Sequence, residues 1–529
     1  MKYNVIDVDE KEIQEKYQLT TLVSKVIAKA KLSDEQIKEV LDTNTILKTS
    51  EAKCVKDACS RILEAKNKHE KVFVGGDYDT DGICSTAIMK DVLDKLEIEN
   101  GYYIPDRFKE GYGLSSHTVE LAYQKGYTLI ITVDNGVKAF DAIQKAHELG
   151  IDIIVTDHHQ IEDEVNADIV VHPDYMEKEY KYLSGAGVAL ELSRNLLGEV
   201  DVHTALAAIA LIGDVMPFWL ETRVIIRKGI ELLKQGVVPS VSSLFRKGTE
   251  IDETAIAFQV VPKLNSVARI KDESNVNTLV PFLLSNNLKY ISSYSVSLNK
   301  VNDLRKKMSN AMATKAESMI DDSPLIILYD ESFDEGIAGL VAGKLAFDYK
   351  RPCIIMTSHE DLVKASGRSI PGFNLFEFMK EFDGFCAFGG HEQAVGFAFD
   401  KDKLEDIQKQ IKQKYLDLNV TVQEPKEDVI KIYTNDISVE QIQDLNKIKP
   451  IPKEIGKLKF ALERPEVLRK MSYEKVTKYT FSNQLDGVIF SYQKIEEVEN
   501  PKYVIGTLSI NEFRGIKTPQ ILIDSMEIE

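Results

Sequence analysis

From Lys71 onward, short and nearly continuous apolar runs alternate with longer stretches whose apolar residues recur at helical spacing. Lys71 to Gly76 (KVFVGG), Thr128 to Asp134 (TLIITVD) and Ile151 to Asp157 (IDIIVTD) are such runs. They are too short for buried helices, and their Val and Ile content suits strands covered on both faces. Lys138 to Leu149 between the last two reads as a helix, so a parallel α/β sheet is expected. The stretch from about Ser285 to Ile320 holds no Pro or Gly and predicts a long helical connector. A second α/β unit follows, with strands at Leu325 to Tyr329 and Cys353 to Met356. Beyond about residue 420 strand-like alternation dominates, as in Tyr503 to Ile510 and Gln520 to Asp524. The expected organisation is a helical arm (1–48), a first α/β domain (49–284), the connector (285–320), a second α/β domain (321–418) and a β-rich domain (419–529).

A chain of 529 residues, 43% of them hydrophobic, fits several globular domains. Its longest apolar stretches, such as Ala205 to Ile212, fall far short of a membrane span, and Met1 to Thr20 has no apolar signal core. Five cysteines without a CxxC pair point to a reduced, cytoplasmic chain without a zinc site. The net charge of −18 argues weakly against a nucleic-acid partner. It does not bear on a recessed site, and carboxylates that hold cations add to it.

Asp77-Tyr78-Asp79-Thr80-Asp81-Gly82 directly follows the first strand. Carboxylates at alternate positions can converge on a hard cation. An EF-hand loop is excluded, because its twelfth position is Ile88 and the segment follows a strand. An acidic turn that caps a helix is the plain alternative. Asp134-Asn135-Gly136 and Asp157-His158-His159 close the next two strands, and the carboxyl ends of parallel strands line the ligand crevice. Gly213-Asp214-Val215-Met216-Pro217 ends the apolar stretch Thr204 to Ile212, and an Asp there needs a partner or a metal. Mixed carboxylate and imidazole donors suit Mn²⁺ or Mg²⁺. In the second α/β unit, Ser366-Gly367-Arg368-Ser369-Ile370-Pro371-Gly372 and Phe388-Gly389-Gly390-His391-Glu392-Gln393 combine glycines with a phosphate-binding Arg. His391 does not open a zinc HExxH helix, since the fifth position is Val395. Gly185-Ala186-Gly187 is no dinucleotide fingerprint, because Leu190 stands at its third glycine position.

In order and spacing, Asp77/Asp79/Asp81, Asp134, Asp157-His158-His159 and Asp214 resemble the four motifs of the DHH phosphoesterases. Tyr103-Ile104-Pro105-Asp106-Arg107 with Glu110-Gly111-Tyr112-Gly113, and Leu183 to Ala189, are similar to segments of the RecJ-type exonucleases within that superfamily. The motifs at Ser366 and Phe388 resemble the DHH-associated domain. Leu508 to Gly515 with Pro519 to Asp524 is similar to the terminal hairpin of an OB-fold. Three positions depart from the RecJ pattern: Gly75 for a histidine, Lys263 for an arginine before Asn265 and Arg269, and no Pro-Gly opening near Lys449 to Gly456.

The resemblance implies an α/β fold made of a parallel-sheet DHH catalytic domain, a helical connector, a DHH-associated domain and an OB-like domain. It implies two ions, Mn²⁺ or Mg²⁺, with Asp134 bridging, Asp77 on one ion, and Asp79, His158 and Asp214 on the other. His159 is expected on the scissile phosphate, Asp157 behind an imidazole, and Asp81 supporting its loop or capping the following helix. Arg107, Arg269, Ser366, Arg368, Ser369, Gly389, Gly390 and His391 are the expected substrate contacts. The implied activity is 5′-to-3′ hydrolysis of single-stranded DNA to 5′-mononucleotides in repair and recombination. A single-strand-binding protein or a helicase is an expected partner, and no membrane is. A nanoRNase or cyclic-dinucleotide phosphodiesterase, a family II pyrophosphatase and an inactive DNA-binding scaffold stay open as alternatives.

Overall fold

The computed structural model describes all residues except 1, 2, 272–274, 419, 421–425, 494 and 529. The expected domain boundary at 418/419 thus falls partly outside the described residues. The chain divides into two compact units, one of Lys48–Met216 and Lys228–Pro425, the other of Met1–Leu47, Pro217–Arg227 and Lys426–Glu529.

Strand β1 (Tyr3–Ile6) opens the chain. Strands β2 (Val72–Gly75), β3 (Asn100–Tyr103), β4 (Leu129–Val133), β5 (Asp152–Thr156) and β6 (Ile169–Val171) form an all-parallel sheet in the order β3-β2-β4-β5-β6. Every residue of β2 and β4 is buried, as unbroken Val and Ile runs require when helices cover both faces. The three helices Thr80–Lys95, Gly185–Leu197 and Asp201–Gly213 pack on one another, and Thr204 to Ile212 is buried without a break.

The connector is a single helix, Leu288–Glu317, capped by Asn287, whose side chain accepts from Lys289 N and Tyr290 N. Its 30 residues span about 45 Å. Strands β7 (Ile326–Tyr329), β8 (Cys353–His359), β9 (Leu362–Arg368), β10 (Ala387–His391) and β11 (Ala394–Asp400) then form a mixed sheet in the order β10-β11-β9-β8-β7.

The other unit is built on one eight-stranded sheet. Strands β12 (Glu427–Ile432), β13 (Phe460–Glu463), β14 (Val467–Ser472), β15 (Val476–Phe481), β16 (Asp486–Phe490), β17 (Tyr503–Phe513) and β18 (Ile516–Glu527) join β1 in the order β1-β12-β13-β17-β18-β16-β15-β14. The helical arm expected over 1–48 does carry helices, Lys11–Tyr17, Thr21–Ala30 and Asp34–Leu41. It is no separate body: β1 runs parallel to β12 with Val5 opposite Val429. Pro217–Arg227 belongs to this unit too, where the Arg223 guanidinium donates to the carbonyls of Val40, Ile448 and Pro450.

Candidate metal centre and phosphate cleft

Chain order reverses across the neighbours β2 and β4, and such a switch point opens a crevice at the carboxyl ends of the strands. The segment Asp77–Asp81 leaves β2, Asp134 leaves β4, and Asp157–His159 leaves β5. Asp214 follows the last turn of the helix Asp201–Gly213. All four motifs thus meet at one edge of the sheet.

Asp79 caps the helix Thr80–Lys95, its Oδ1 accepting from the amides of Asp81 (2.9 Å) and Gly82 (3.1 Å). The Thr80 amide and hydroxyl both donate to Asn265 Oδ1 at 2.8 Å, which fixes the loop from outside. Asp81 was expected to support its loop or cap the following helix. It caps a different one: its carboxylate accepts from the Ser184 hydroxyl (2.8 Å) and the amides of Gly185 (2.7 Å) and Ala186 (2.8 Å). Free amides at a helix start attract a carboxylate. This is the use of the Leu183–Ala189 segment that its sequence alone did not disclose.

Asp134 is 1% exposed and adopts a left-handed backbone, with φ of 61°. Its Oδ1 stands 3.2 Å from His158 Nε2, and that same nitrogen lies 3.6 Å from oxygens of Asp81 and Asp214. Three overlapping sets of donor atoms result: Asp77, Asp79 and Asp134; Asp81, His158 and Asp214; Asp134, His158 and His159. The second set contains Asp81 where Asp79 was expected. Asp157 Oδ1 accepts from the amides of His158 (2.7 Å) and His159 (3.1 Å) and stands 2.8 Å from His159 Nδ1. Tyr112 donates to the Asp134 carbonyl at 2.9 Å, with its hydroxyl 3.2 Å from His159 Nδ1.

Burial, then neighbouring carboxylates, raises the Asp77, Asp79 and Asp134 carboxyls, and the same causes push Asp214 up to about 8. Burial lowers His158. Burial also works against His159, but the Asp157 hydrogen bond and charge outweigh it and raise the imidazole to about 9. Among the described residues, Oδ1 of both Asp77 and Asp134 is buried without a hydrogen-bond partner. Crowded anions with orphaned oxygens fit a divalent cation, and an oxygen-rich donor set with one or two imidazoles fits Mn²⁺ or Mg²⁺.

A stability test follows from the sign of these shifts. Carboxyls raised in the folded state oppose folding once they ionise, so without a cation their contribution worsens as pH climbs from about 4 toward about 8. His159 contributes stability that is full below its ordinary pKa of about 6.5 and is lost as pH rises through about 9. Mn²⁺ removes the carboxylate penalty, so it should raise the melting temperature more at about pH 7.5 than at about pH 5. A hundredfold excess over Kd stabilises by about 2.7 kcal/mol per site. Melting curves with the same Mn²⁺ increment at both pH values would contradict the assignment.

Beside this centre, Tyr78, Arg107, Phe108, Ser366, Phe388 and Gly389 line a cleft of about 360 Å³ between the two α/β domains of the same unit. The Arg107 guanidinium lies 5.3 Å from the Tyr78 ring centre. Burial first, then the charges of Arg107, Arg305 and Arg368, brings Arg269 down to about 10, so four guanidiniums share one neighbourhood. Arg305, on the connector helix, escapes sequence reading because it sits in an unremarkable polar stretch; its Nε is buried with no hydrogen-bond partner. Arg368 lies along the helix Glu335–Tyr349, where a Cβ on Gly339 would stand 2.7 Å from its Nη2. Gly390 and His391 are exposed on the edge strand β10, beyond Gly389. The Ser369 hydroxyl donates to the Phe373 carbonyl at 2.6 Å, which holds its turn.

Residues 71–213 match the model of the DHH family, N-terminal domain, and residues 322–416 that of the DHHA1 domain. The single-stranded-DNA-specific exonuclease RecJ of Bacillus subtilis is 34% identical over 500 residues, covering 89% of this chain and 63% of that protein. The chain thus spans slightly under two thirds of that relative, but 90% of the Escherichia coli RecJ, to which it is 26% identical over 522 residues. The crystal structure of RecJ in complex with Mn²⁺ from Thermus thermophilus matches with a TM-score of 0.80 and 21% identity, over 99% of this chain and 78% of that one. A structure of exonuclease RecJ bound to manganese matches with a TM-score of 0.62 and 25% identity, over 73% of this chain and all of that one. No helix among the described residues is long and apolar enough to cross a membrane. With its four motifs gathered at one sheet edge, the chain carries a DHH family domain over 71–213 and a DHHA1 domain over 322–416, and it is similar to RecJ exonucleases along most of its length.

Proposed function

We propose that this protein is a divalent-metal-dependent exonuclease that degrades single-stranded DNA from the 5′ end to 5′-mononucleotides, in repair and recombination in the cytoplasm. One observation carries the reading: a donor cluster whose sets share Asp134 and His158 adjoins a cleft lined by Arg107, with Arg269, Arg305 and Arg368 in the same neighbourhood of the unit. The RecJ relatives give the reading its substrate and metals. Asp134 is assigned the bridging position, with Asp77 and Asp79 to one side and Asp81, His158 and Asp214 to the other. When bound, two Mn²⁺ or Mg²⁺ ions supply an activated water and neutralise charge developing at phosphorus. His159, held by Asp157, is assigned to the scissile phosphate. Arg107, Arg269, Arg305 and Arg368 hold the neighbouring phosphates, with Ser366 and Gly389 in the cleft wall and Gly390 and His391 at its margin. The β-rich region over 419–529 is read as an OB-like grip on the strand, and a single-strand-binding protein or a helicase as a partner that delivers it.

Incubation with Mn²⁺ and 5′-labelled single-stranded DNA, a dinucleotide or pyrophosphate tests this reading. Rapid release of labelled mononucleotide from the long strand supports it. Preferential dinucleotide cleavage favours a nanoRNase-like enzyme, and inertness toward all three overturns hydrolysis altogether. Arg368→Ala should harm substrates that bear a 5′ phosphate more than those ending in a hydroxyl, by about 1.5 to 3 kcal/mol for a lost charge-assisted contact. Equal losses of kcat/KM on both would assign Arg368 to internal backbone or to the fold.

A further inference from the structure

Away from the site, Asp91, Ser193 and His203 meet in the packing of three helices. His203 Nε2 stands 2.7 Å from Asp91 Oδ2, and its Nδ1 stands 2.6 Å from the Ser193 hydroxyl. A carboxylate only accepts, so the Nε2 hydrogen points to Asp91, and with one hydrogen on the ring Nδ1 takes the Ser193 hydroxyl hydrogen. The residue types are those of a nucleophilic triad, but Ser193 and His203 are wholly buried and no substrate can reach the serine. The imidazole instead ties together three helices that share a second property.

Each of those helices presents a part of the metal centre at its other end. The helix Thr80–Lys95 begins at Asp79 and carries Asp81 in its first turn. The helix Gly185–Leu197 begins with the Ser184, Gly185 and Ala186 donors that hold Asp81. The helix Asp201–Gly213 ends at Asp214. Asp91, Ser193 and His203 lie roughly 12 to 16 Å along their helices from those ends, at 1.5 Å per residue. A shift at the far end of a rigid helix carries to the near end, and Asp214 is the one donor in the three sets whose place is set by a helix terminus alone.

We propose that His203 is a positioning residue for the metal centre, setting the depth of Asp214 against Asp81 and His158 through its bonds to Asp91 and Ser193. This rests on the metal-dependent reading above, so the test includes a measurement that does not depend on nuclease activity. His203→Leu should fold, because Asp91 keeps Lys95 at 2.6 Å and the Ser193 hydroxyl can turn to its own helix carbonyls. Mn²⁺ affinity by titration calorimetry should fall about tenfold, the low end of the loss for a group that touches a ligand directly, because His203 acts on Asp214 only through its helix. On single-stranded DNA, kcat should fall by a similar factor with KM nearly unchanged, and His203→Gln should recover part of both. Ser193→Ala and Asp91→Asn should move Mn²⁺ affinity the same way by smaller factors, which keeps the test decisive if His203→Leu does not fold. Unchanged Mn²⁺ affinity in the folded variants, whatever their melting temperature, overturns the positioning role. Loss of Mn²⁺ binding alongside a wild-type protein that binds Mn²⁺ but cleaves no DNA would leave this proposal standing and sink the nuclease reading.

Discussion

Replacing Asp134 with Ala or Asn is expected to abolish hydrolysis while leaving the chain folded. Two of the three donor sets contain Asp134, so its loss disables both at once, and no neighbouring carboxylate can stand in. Asn is the cleaner change: it keeps the shape and tolerates the left-handed backbone at this position, whereas Ala adds strain there. Burial and the neighbouring carboxylates of Asp81, Asp79 and Asp77 oppose a charge at Asp134, so the metal-free Asn variant, which has none there, should melt no lower than the parent. The expected loss in kcat is at least about a thousandfold, roughly 4 kcal/mol. A variant that keeps more than about a tenth of parental kcat, a loss under ~1.4 kcal/mol, would remove Asp134 from the bridging position.

Gly185→Ala should be nearly as damaging, although residue 185 offers no ligand atom. A Cβ there would stand 2.4 Å from the Asp134 Cβ and 2.6 Å from its Cα, where carbon atoms need roughly 3.5 Å or more. One partner must therefore yield by about 1 Å. If the helix start moves, the Ser184, Gly185 and Ala186 donors leave Asp81; if Asp134 moves, the shared donor leaves its place. Misplacement of that size costs about a hundredfold in rate. Parallel measurement of kcat and Mn²⁺ affinity checks this, and parental values of both would show that the helix start is more compliant than its packing suggests.

The parallel sheet was legible because its central strands are unbroken Val and Ile runs ending in acids. Strand β3, spelled Asn-Gly-Tyr-Tyr, carries no such signal and β6, Ile-Val-Val, is too short to stand out, yet β3 completes the strand reversal that opens the crevice. The candidate donor residues were legible from motif spacing, since each follows its strand or helix within a few positions. What spacing could not give was which oxygen goes where. Asp79 and Asp81 lie on one turn, and only the arrival of a helix from a hundred residues downstream places Asp81 beside His158. Arg305 and His203 were invisible for the same reason, because long-range packing rather than local pattern gives them their neighbours. The arm over 1–48 also holds a strand, because the four residues Tyr-Asn-Val-Ile of β1 are too few to show their pairing until β12 is beside them.

That pairing sets an order of events in biosynthesis. Asn4 donates to Asp428 across 424 positions, so at about 5 to 20 residues per second β1 waits roughly 20 to 80 s for its neighbour to be made. All residues of the unit that bears the metal centre are joined by Pro425, before β12 begins. The nascent chain thus holds the unit with the donor cluster complete while β1 still shows unpaired amides and carbonyls, a template for wrong partners. Stalled or hurried translation would therefore harm the closing of the eight-stranded sheet before it harms the unit that holds the donor cluster.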